Sequence, residues 1–91
     1  MSVKSLSLYH YQSCPFCAMS RNAINQLNID VELRDIQLDK SNFIDLMTFG
    51  GKMQVPCLLI ENSENEFEWL YESNDIINYI VEYSNLPQQV A

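Results

Sequence analysis

The sequence predicts an α/β fold with the element order β-α-β-α-β-β-α, in which three helices flank a four-stranded mixed sheet. Two kinds of pattern predict it: short stretches of alternating polar and apolar residues are typical of strands, and apolar residues three to four positions apart are typical of helices. The two glycines of the chain are adjacent, at Gly50 and Gly51, and so mark one helix end rather than a flexible linker. With 91 residues, the chain has the length of one domain, which we expect to span residues 1–91.

The first half of the chain is predicted to form a strand, a helix and a second strand. Residues 5–9 alternate between polar and apolar side chains and predict the first strand. Residues 17–27 predict a helix, with Pro15 in its first turn, where a missing N–H costs little, and Asn28 as its stop. Residues 31–36 alternate again. Because a helix joins the two strands, we expect them to be parallel.

A second helix and a third strand follow. Ser41 is the predicted cap of a helix that runs to about Phe49 and ends at Gly50 and Gly51. Residues 55–60 form a short apolar stretch, and we expect its strand to begin at Pro56, because proline cannot donate to a sheet.

The last predicted elements are a hairpin strand and a helix. A turn at residues 62–65 leads into a fourth strand at 67–71, which a tight turn makes antiparallel to the third. Ser73 is the predicted cap of a final helix that ends near Ser84, and the tail from Pro87 onward is expected to fray.

The charge of the chain is unevenly distributed. Its net charge is −7, and all five basic residues lie at or before Lys52, where five acidic residues balance them. The seven remaining acidic residues follow Lys52 without any base. Such a surface repels phosphate, so we expect no nucleic-acid or anionic membrane partner. The sequence also contains no long apolar run and no signal-peptide pattern, which predicts a cytoplasmic protein.

The cysteines carry the clearest chemical signal. Cys14 and Cys17 are separated by two residues, follow the first predicted strand and open the first predicted helix. The free N–H groups and the dipole of a helix N-terminus stabilise a thiolate, so Cys14 is the predicted exposed nucleophile and the more buried Cys17 the resolving thiol. Cys57, far away in sequence, is interpreted as a small buried residue. A zinc site is disfavoured because only His10 and Cys57 remain as further ligands, and we expect no bound metal.

Two further segments bear on the dithiol. Val55-Pro56 precedes a strand expected to lie beside the Cys14 loop, and Pro56 is a candidate for a cis peptide bond that leaves the Val55 backbone free to pair with an extended thiol peptide. Glu72-Ser73 opens the last helix, where backbone N–H groups can bind a carboxylate and the Glu72 side chain can bind an ammonium group. A γ-glutamyl end carries both of those groups on one carbon.

Together these segments resemble the glutaredoxin family, which has the thioredoxin-like fold, over essentially the whole chain. Cys14-Pro15-Phe16-Cys17 is similar to the dithiol motif of that family, and Val55-Pro56 to its cis-proline pair. The amino-acid sequences of residues 55–58 and 70–73 are more similar to the N-terminal thioredoxin-like domain of glutathione transferases.

The resemblance implies a glutathione-dependent thiol-disulfide oxidoreductase. Its partners would be glutathione, used as co-substrate without a bound cofactor, and glutathionylated or disulfide-containing proteins, on which it would act as a monomer. Glutaredoxins usually carry a lysine at the position of Tyr11, which brings no charge here, and Lys52 is the expected cation for the glycyl carboxylate. The glutathione-binding residues expected from the resemblance are Tyr11, Phe16, Lys52, Val55, Pro56, Glu72 and Ser73.

Three alternatives stay open at the level of sequence. The absent lysine raises the possibility that thioredoxin reductase, rather than glutathione, recharges the dithiol. A module that binds an iron–sulfur cluster is a second alternative, and a single-domain transferase or dehydroascorbate reductase a third.

Overall fold

A computed structural model describes residues 3–85 and shows a mixed four-stranded sheet with helices on both faces, a thioredoxin-like fold. The predicted element order is confirmed, and the predicted fraying from Pro87 lies outside the described residues. Within 3–85, none of the helices is long and apolar enough to span a membrane. The elements are β1 (Val3–His10), α1 (Pro15–Gln26), β2 (Glu32–Asp35), α2 (Lys40–Asp45), a π-helical turn (Leu46–Gly50), β3 (Cys57–Asn62), β4 (Phe67–Leu70) and α3 (Ser73–Asn85).

The strands lie in the order β2-β1-β3-β4. As predicted, β1 and β2 are parallel and β3 and β4 antiparallel; β1 also pairs antiparallel with β3. Tyr9 stands opposite both Arg34 of β2 and Cys57 of β3, so the C-terminal end of β1 lies beside the N-terminal end of β3. This pairing brings the loop after β1, which holds the dithiol, next to the loop before β3, which holds Pro56.

Alternate residues of the two central strands fill two cores. Leu6 and Leu8 of β1, with Leu58 and Ile60 of β3, join a cluster that includes residues of α1 and α3. Their neighbours along the strands face the opposite side of the sheet, where Tyr9, Cys57 and Leu59 pack with Leu46 of the π-helical turn. Both faces of β1 and β3 are therefore covered, which explains why their buried stretches are continuous.

The second helix differs from its prediction. Asp39, not Ser41, is its N-cap, because the Asp39 carboxylate accepts the Ser41 N–H at 2.9 Å. The α-helix ends at Asp45 and the chain widens into the π-helical turn, in which the Gly51 N–H donates to the Leu46 carbonyl at 3.1 Å. Gly51 has φ of 86°, so the predicted glycine stop is confirmed at a backbone conformation that glycine adopts without strain.

Gly50 lies against the aromatic residues at the C-terminal end of β4. A Cβ atom at this position would overlap the Tyr71 hydroxyl and approach Cε3 of Trp69 to 3.0 Å. We expect Gly50→Ala to lower the free energy of unfolding by about 1–3 kcal/mol, since close-packed surroundings must move to admit the methyl group. Denaturant titration measures this loss.

The Tyr71 hydroxyl provides the control. Tyr71→Phe removes the atom that the new methyl group meets, so the cost of Gly50→Ala should be smaller in the Tyr71→Phe background than in the wild type. An equal cost in both backgrounds would show that the Tyr71 contact does not limit this position.

Candidate active site around the dithiol

The dithiol stands at the N-terminus of α1. Cys14 is the N-cap, and its Sγ accepts the backbone N–H of Cys17 at 3.3 Å, while Pro15 is the first residue of the helix. The Cys14 carbonyl accepts the Ala18 N–H at 3.0 Å and so starts the helical hydrogen bonding. The sequence predicted a cysteine at this helix N-terminus, and the structure places the Cys14 sulfur there, in the N-cap position.

The two sulfurs differ less in exposure than the sequence predicts. Cys14 is 5% exposed and is therefore buried, contrary to the expectation of an exposed nucleophile, because its sulfur folds back over the first turn of α1 toward the Cys17 N–H. Cys17 is fully buried, as expected for the inner thiol. Burial, reinforced by the hydrogen bond with Cys14, raises the pKa of Cys17 to about 12, so this group is a thiol rather than a thiolate at neutral pH.

Arg21 connects α1 to the loop that precedes the dithiol. One guanidinium nitrogen donates to Nδ1 of His10 at 2.9 Å and to the Tyr11 carbonyl at 3.3 Å, and the other donates to the Gln12 carbonyl at 3.2 Å. The Tyr11 carbonyl also accepts the N–H of Cys14 at 3.3 Å. Arg21 therefore holds the backbone segment on which the position of Cys14 depends.

His10 is the buried acceptor of this network. It is 1% exposed, and its pKa is lowered first by burial and then by the positive charge of Arg21, while Asp35 acts in the opposite direction. A neutral imidazole can accept the Arg21 hydrogen bond at Nδ1, whereas an imidazolium cannot. Sequence reasoning interpreted His10 as a packed or surface residue and did not identify Arg21. The available signal was the spacing of Arg21, four residues after Cys17, which places both on one face of α1.

The Val55-Pro56 bond is cis, as the sequence suggested. Pro56 is buried and Val55 half-buried, at the end of a loop that leads into β3. A cavity of about 190 Å³ lies between this loop, the first residues of α1 and the start of α3. Its lining residues are Phe16, Gln54, Val55, Pro56, Tyr71, Glu72 and Ser73.

The start of α3 differs slightly from the predicted cap. The helix begins at Ser73, and the Glu72 carbonyl accepts the Ile76 N–H at 2.9 Å, so Glu72 rather than Ser73 precedes the first turn. The Glu72 side chain is exposed and Ser73 is half-buried at the cavity. An ammonium and a carboxylate can both be accommodated here, by Glu72 and by the helix N-terminus respectively.

A larger cavity, of about 530 Å³, adjoins the first one at Gln54 and Val55 and extends toward Tyr11. We refer to the first cavity as the α3 pocket and to this one as the Tyr11 pocket. The Tyr11 pocket is lined by Tyr11, Ile36, Gln37, Phe43, Met53, Gln54 and Val55.

Lys52 contacts Tyr71, which lines the α3 pocket, but does not itself line either pocket. Its ammonium stands 5.0 Å from the ring centroid of Tyr71, over the ring face. The structure thus brings together six of the seven residues expected at the glutathione groove and holds the seventh, Lys52, against Tyr71. Among residues 3–85, no group of three or more His, Cys, Asp or Glu side chains is arranged to hold a metal ion.

Cys57 is fully buried at the first position of β3, in the core on the α2 side of the sheet, which agrees with its interpretation as a small core residue. Burial raises its pKa to about 12, although the Tyr71 hydroxyl acts to lower it. We expect iodoacetamide at pH 8 to modify Cys57 at least about 100-fold more slowly than Cys14, because Cys57 is fully buried and its pKa is raised, whereas Cys14 keeps 5% exposure at the N-terminus of α1. Peptide mapping after timed alkylation measures both rates.

Unfolding supplies the control for this labelling. In denaturant all three thiols should react at similar rates. Equal modification of Cys14 and Cys57 in the folded chain would contradict the burial of Cys57.

A family model confirms the class of protein that the fold and the dithiol site define. The model of the glutathione S-transferase N-terminal domain matches residues 8–88, so the chain belongs to that family. The assignment to the thioredoxin-like domain that glutaredoxins share with glutathione transferases is confirmed.

Individual relatives agree with this assignment. Glutaredoxin 2 of Escherichia coli (strain K12) is 32% identical over 82 residues, which cover 90% of this chain and 35% of the relative. The crystal structure of glutaredoxin 2 from Salmonella typhimurium in complex with glutathione is 31% identical, with a TM-score of 0.67, and covers 96% of this chain and 37% of that one.

A maleylacetoacetate isomerase from Anaeromyxobacter dehalogenans, crystallised with glutathione, has a TM-score of 0.70 over 94% of this chain and 40% of its own, at 22% identity. At that identity, the likeness concerns the fold. The chain spans about a third of the length of the glutaredoxin 2 relatives that it matches.

Proposed function

We propose that the chain is a glutathione-dependent thiol-disulfide oxidoreductase of the dithiol glutaredoxin type. The observation that carries this proposal is the Cys14 sulfur at the N-cap of α1, beside a cis-proline loop and a pocket that ends at the N-terminus of α3. A glutathione-related role for this thioredoxin-like domain rests on the family and on the glutaredoxin 2 relatives. A glutaredoxin 2 crystallised with glutathione supports glutathione as the co-substrate.

The groove residues have complementary roles in this proposal. The ammonium and carboxylate of the γ-glutamyl group bind at Glu72 and at the N-terminus of α3 near Ser73. The backbone of Val55 pairs with the cysteinyl residue, which places the glutathione sulfur beside Cys14. Phe16, Pro56 and Tyr11 complete the apolar walls.

Reduction of a glutathionylated substrate needs only Cys14. The Cys14 thiolate attacks the glutathione sulfur, a Cys14–glutathione disulfide forms, and the substrate leaves as a thiolate that takes up a proton. A second glutathione thiolate then attacks the glutathione sulfur of that mixed disulfide, which releases glutathione disulfide and restores the Cys14 thiolate.

Reduction of a protein disulfide also uses Cys17. Cys14 attacks one target sulfur and forms a mixed disulfide, while the other target sulfur leaves as a thiolate. Cys17 then attacks Cys14, passes its proton to the departing target thiolate and closes the Cys14–Cys17 disulfide, which two glutathione molecules reduce. Because the pKa of Cys17 is about 12 in the reduced protein, this thiol does not compete with Cys14 as the first nucleophile at neutral pH.

Turnover of a small glutathionylated disulfide tests the proposal. With glutathione, glutathione reductase and NADPH, the chain should reduce the mixed disulfide of glutathione and hydroxyethanethiol in proportion to its concentration. Absence of turnover above the uncatalysed rate would refute it.

Two observations favour a different electron donor. The expected cation for the glycyl carboxylate, Lys52, lies on the Tyr71 ring, and Tyr11 stands where glutaredoxins usually carry lysine. Supplying thioredoxin reductase in place of glutathione tests this alternative. Reduction of the dithiol by that enzyme alone would favour it over the glutathione route.

A further inference from the structure

The Tyr11 pocket continues the α3 pocket on the other side of Val55 and Gln54. In the proposed binding mode, the γ-glutamyl group lies at Glu72 and Ser73, and the cysteinyl residue lies beside Cys14 and Val55. A peptide bound in that direction must carry its next residue away from α3. The space available in that direction is the Tyr11 pocket, so the residue after the reacting cysteine enters it.

The lining of the Tyr11 pocket does not suit a charged group. Its described lining residues are all uncharged: Ile36, Phe43, Val55 and Met53 present apolar groups, and Tyr11, Gln37 and Gln54 present neutral polar ones. A glycyl carboxylate placed here would lose water in exchange for neutral donors, and no cation among these residues would compensate for that loss. An apolar side chain would instead cover the surfaces of Ile36, Phe43 and Met53.

The exposure of Met53 and the size of the Tyr11 pocket also favour an apolar side chain as its occupant. Met53 is 62% exposed, and the pocket, at about 530 Å³, is much larger than the α3 pocket of about 190 Å³. A glycine has no side chain with which to fill such a space. Larger apolar residues gain free energy from leaving water in proportion to the apolar surface that they bury.

We propose that the Tyr11 pocket is a specificity subsite for the residue that follows the reacting cysteine, and that it prefers an apolar residue to the glycyl carboxylate of glutathione. This inference rests on the proposed function and specifies its substrate class: disulfides of peptides or proteins in which an apolar residue follows the cysteine. Glutathione remains a substrate, held by its γ-glutamyl and cysteinyl parts.

Three mixed disulfides with hydroxyethanethiol test the subsite on the wild-type chain. Their peptides are γ-Glu-Cys-Gly, its glycyl ethyl ester and γ-Glu-Cys-Leu ethyl ester. We expect kcat/KM for the glycyl ester to lie within about twofold of that for glutathione, and kcat/KM for the leucyl ester to be about tenfold higher. A tenfold loss on esterification, or no gain from leucine, would overturn the proposal.

A charge introduced at the pocket gives a matched pair of variants. Met53→Lys places an ammonium at the rim of the pocket. In this variant, kcat/KM for the glutathione mixed disulfide should be about threefold to fivefold higher than kcat/KM for its glycyl ester. Leu38→Lys adds the same charge at a residue that is 83% exposed and outside the pocket lining, and should leave the acid-to-ester ratio unchanged. Loss of glutathione turnover in Lys52→Met, without loss for the ester, would assign the carboxylate to Lys52 and overturn the proposal.

Binding of unreactive peptides separates this inference from the proposed function. S-methyl γ-Glu-Cys-Leu ethyl ester should bind more tightly than S-methyl glutathione and shift the backbone NMR signals of Ile36, Phe43 and Met53. If none of the mixed disulfides turns over but these shifts appear, the proposed function fails and the subsite stands. Turnover of glutathione substrates without these shifts refutes the subsite alone.

Discussion

Cys14→Ser should lower turnover of glutathionylated substrates by at least about 10³-fold, whereas Cys17→Ser should change it by less than about threefold. The reason is the position of the two sulfurs: Cys14 is the N-cap of α1 and receives the Cys17 N–H, while Cys17 is fully buried with a pKa of about 12. A serine hydroxyl at position 14 stays protonated and cannot attack a disulfide. The glutathione reductase-coupled assay measures both variants.

The effect of Cys17→Ser should be larger on the reduction of protein disulfides than on the turnover of glutathionylated substrates. Cys17→Ser should lose more than about tenfold in the reduction of a protein disulfide, because the mixed disulfide with Cys14 has no resolving thiol. Mass spectrometry should show that mixed disulfide accumulating on the variant. Cys57→Ala is the matched control, since it removes the third thiol and leaves the dithiol in place. Full activity of Cys14→Ser on glutathionylated substrates would contradict the assignment of the nucleophile.

Arg21→Met should lower the free energy of unfolding by about 2–4 kcal/mol and reduce turnover, although residue 21 does not line either pocket. The substitution removes three hydrogen bonds, to His10, Tyr11 and Gln12, and leaves the buried His10 ring without its donor. The loop before Cys14 then loses its anchor to α1. Arg21→Lys retains the charge and one donor direction, so it should recover only part of the loss.

The histidine of the chain reports on the same contact. The sequence contains a single histidine, so an NMR titration of His10 is unambiguous. Its pKa is lowered by burial and by Arg21 and raised by Asp35, and Arg21→Met should therefore raise it. A variant that loses stability while the His10 pKa stays unchanged would contradict the contact between Arg21 and the ring.

The lowered pKa of His10 should make the folded state less stable in acid. As pH falls below about 6.5, the unfolded chain binds a proton at His10 that the folded chain does not yet accept, so folded stability decreases. The loss is complete once the pH lies below the lowered pKa of the folded state. Arg21→Met should show a smaller stability change over this range, which denaturant titrations at pH 5 and pH 7 would measure.

The elements of the fold were largely predictable because their signals are local. Alternation identified β1 and β2, a short apolar stretch identified β3, Pro15 and Asn28 bounded α1, and the paired glycines ended the second helix. Both boundaries of the second helix were missed for a physical reason: side-chain caps and helix widening depend on geometry. Asp39 and Ser41 both have side chains that can cap a helix, and no local pattern marks the change from α to π at Leu46.

The site was predictable where a motif is contiguous. The dithiol and the Val55-Pro56 pair are each adjacent in sequence and carry strong preferences of their own. The Arg21 network joins residues 10, 11, 12 and 21 through contacts between a helix and a loop, and the Tyr11 pocket joins four separate segments. The placement of Lys52 over Tyr71 depends on a ring 19 positions away in the chain. Such arrangements exist only in the folded state.

The sheet order described above leaves β2 and β4 as the outer strands, each only four residues long. Unpaired backbone groups on an outer strand can template the addition of another chain, and short strands bearing exposed charges oppose that addition. Exposed acidic side chains lie on both, Glu32 on β2 and Glu68 on β4. Glu68 belongs to the acid excess of the second half of the sequence, so that excess also places a negative charge on the β4 edge, where it opposes the addition of another strand.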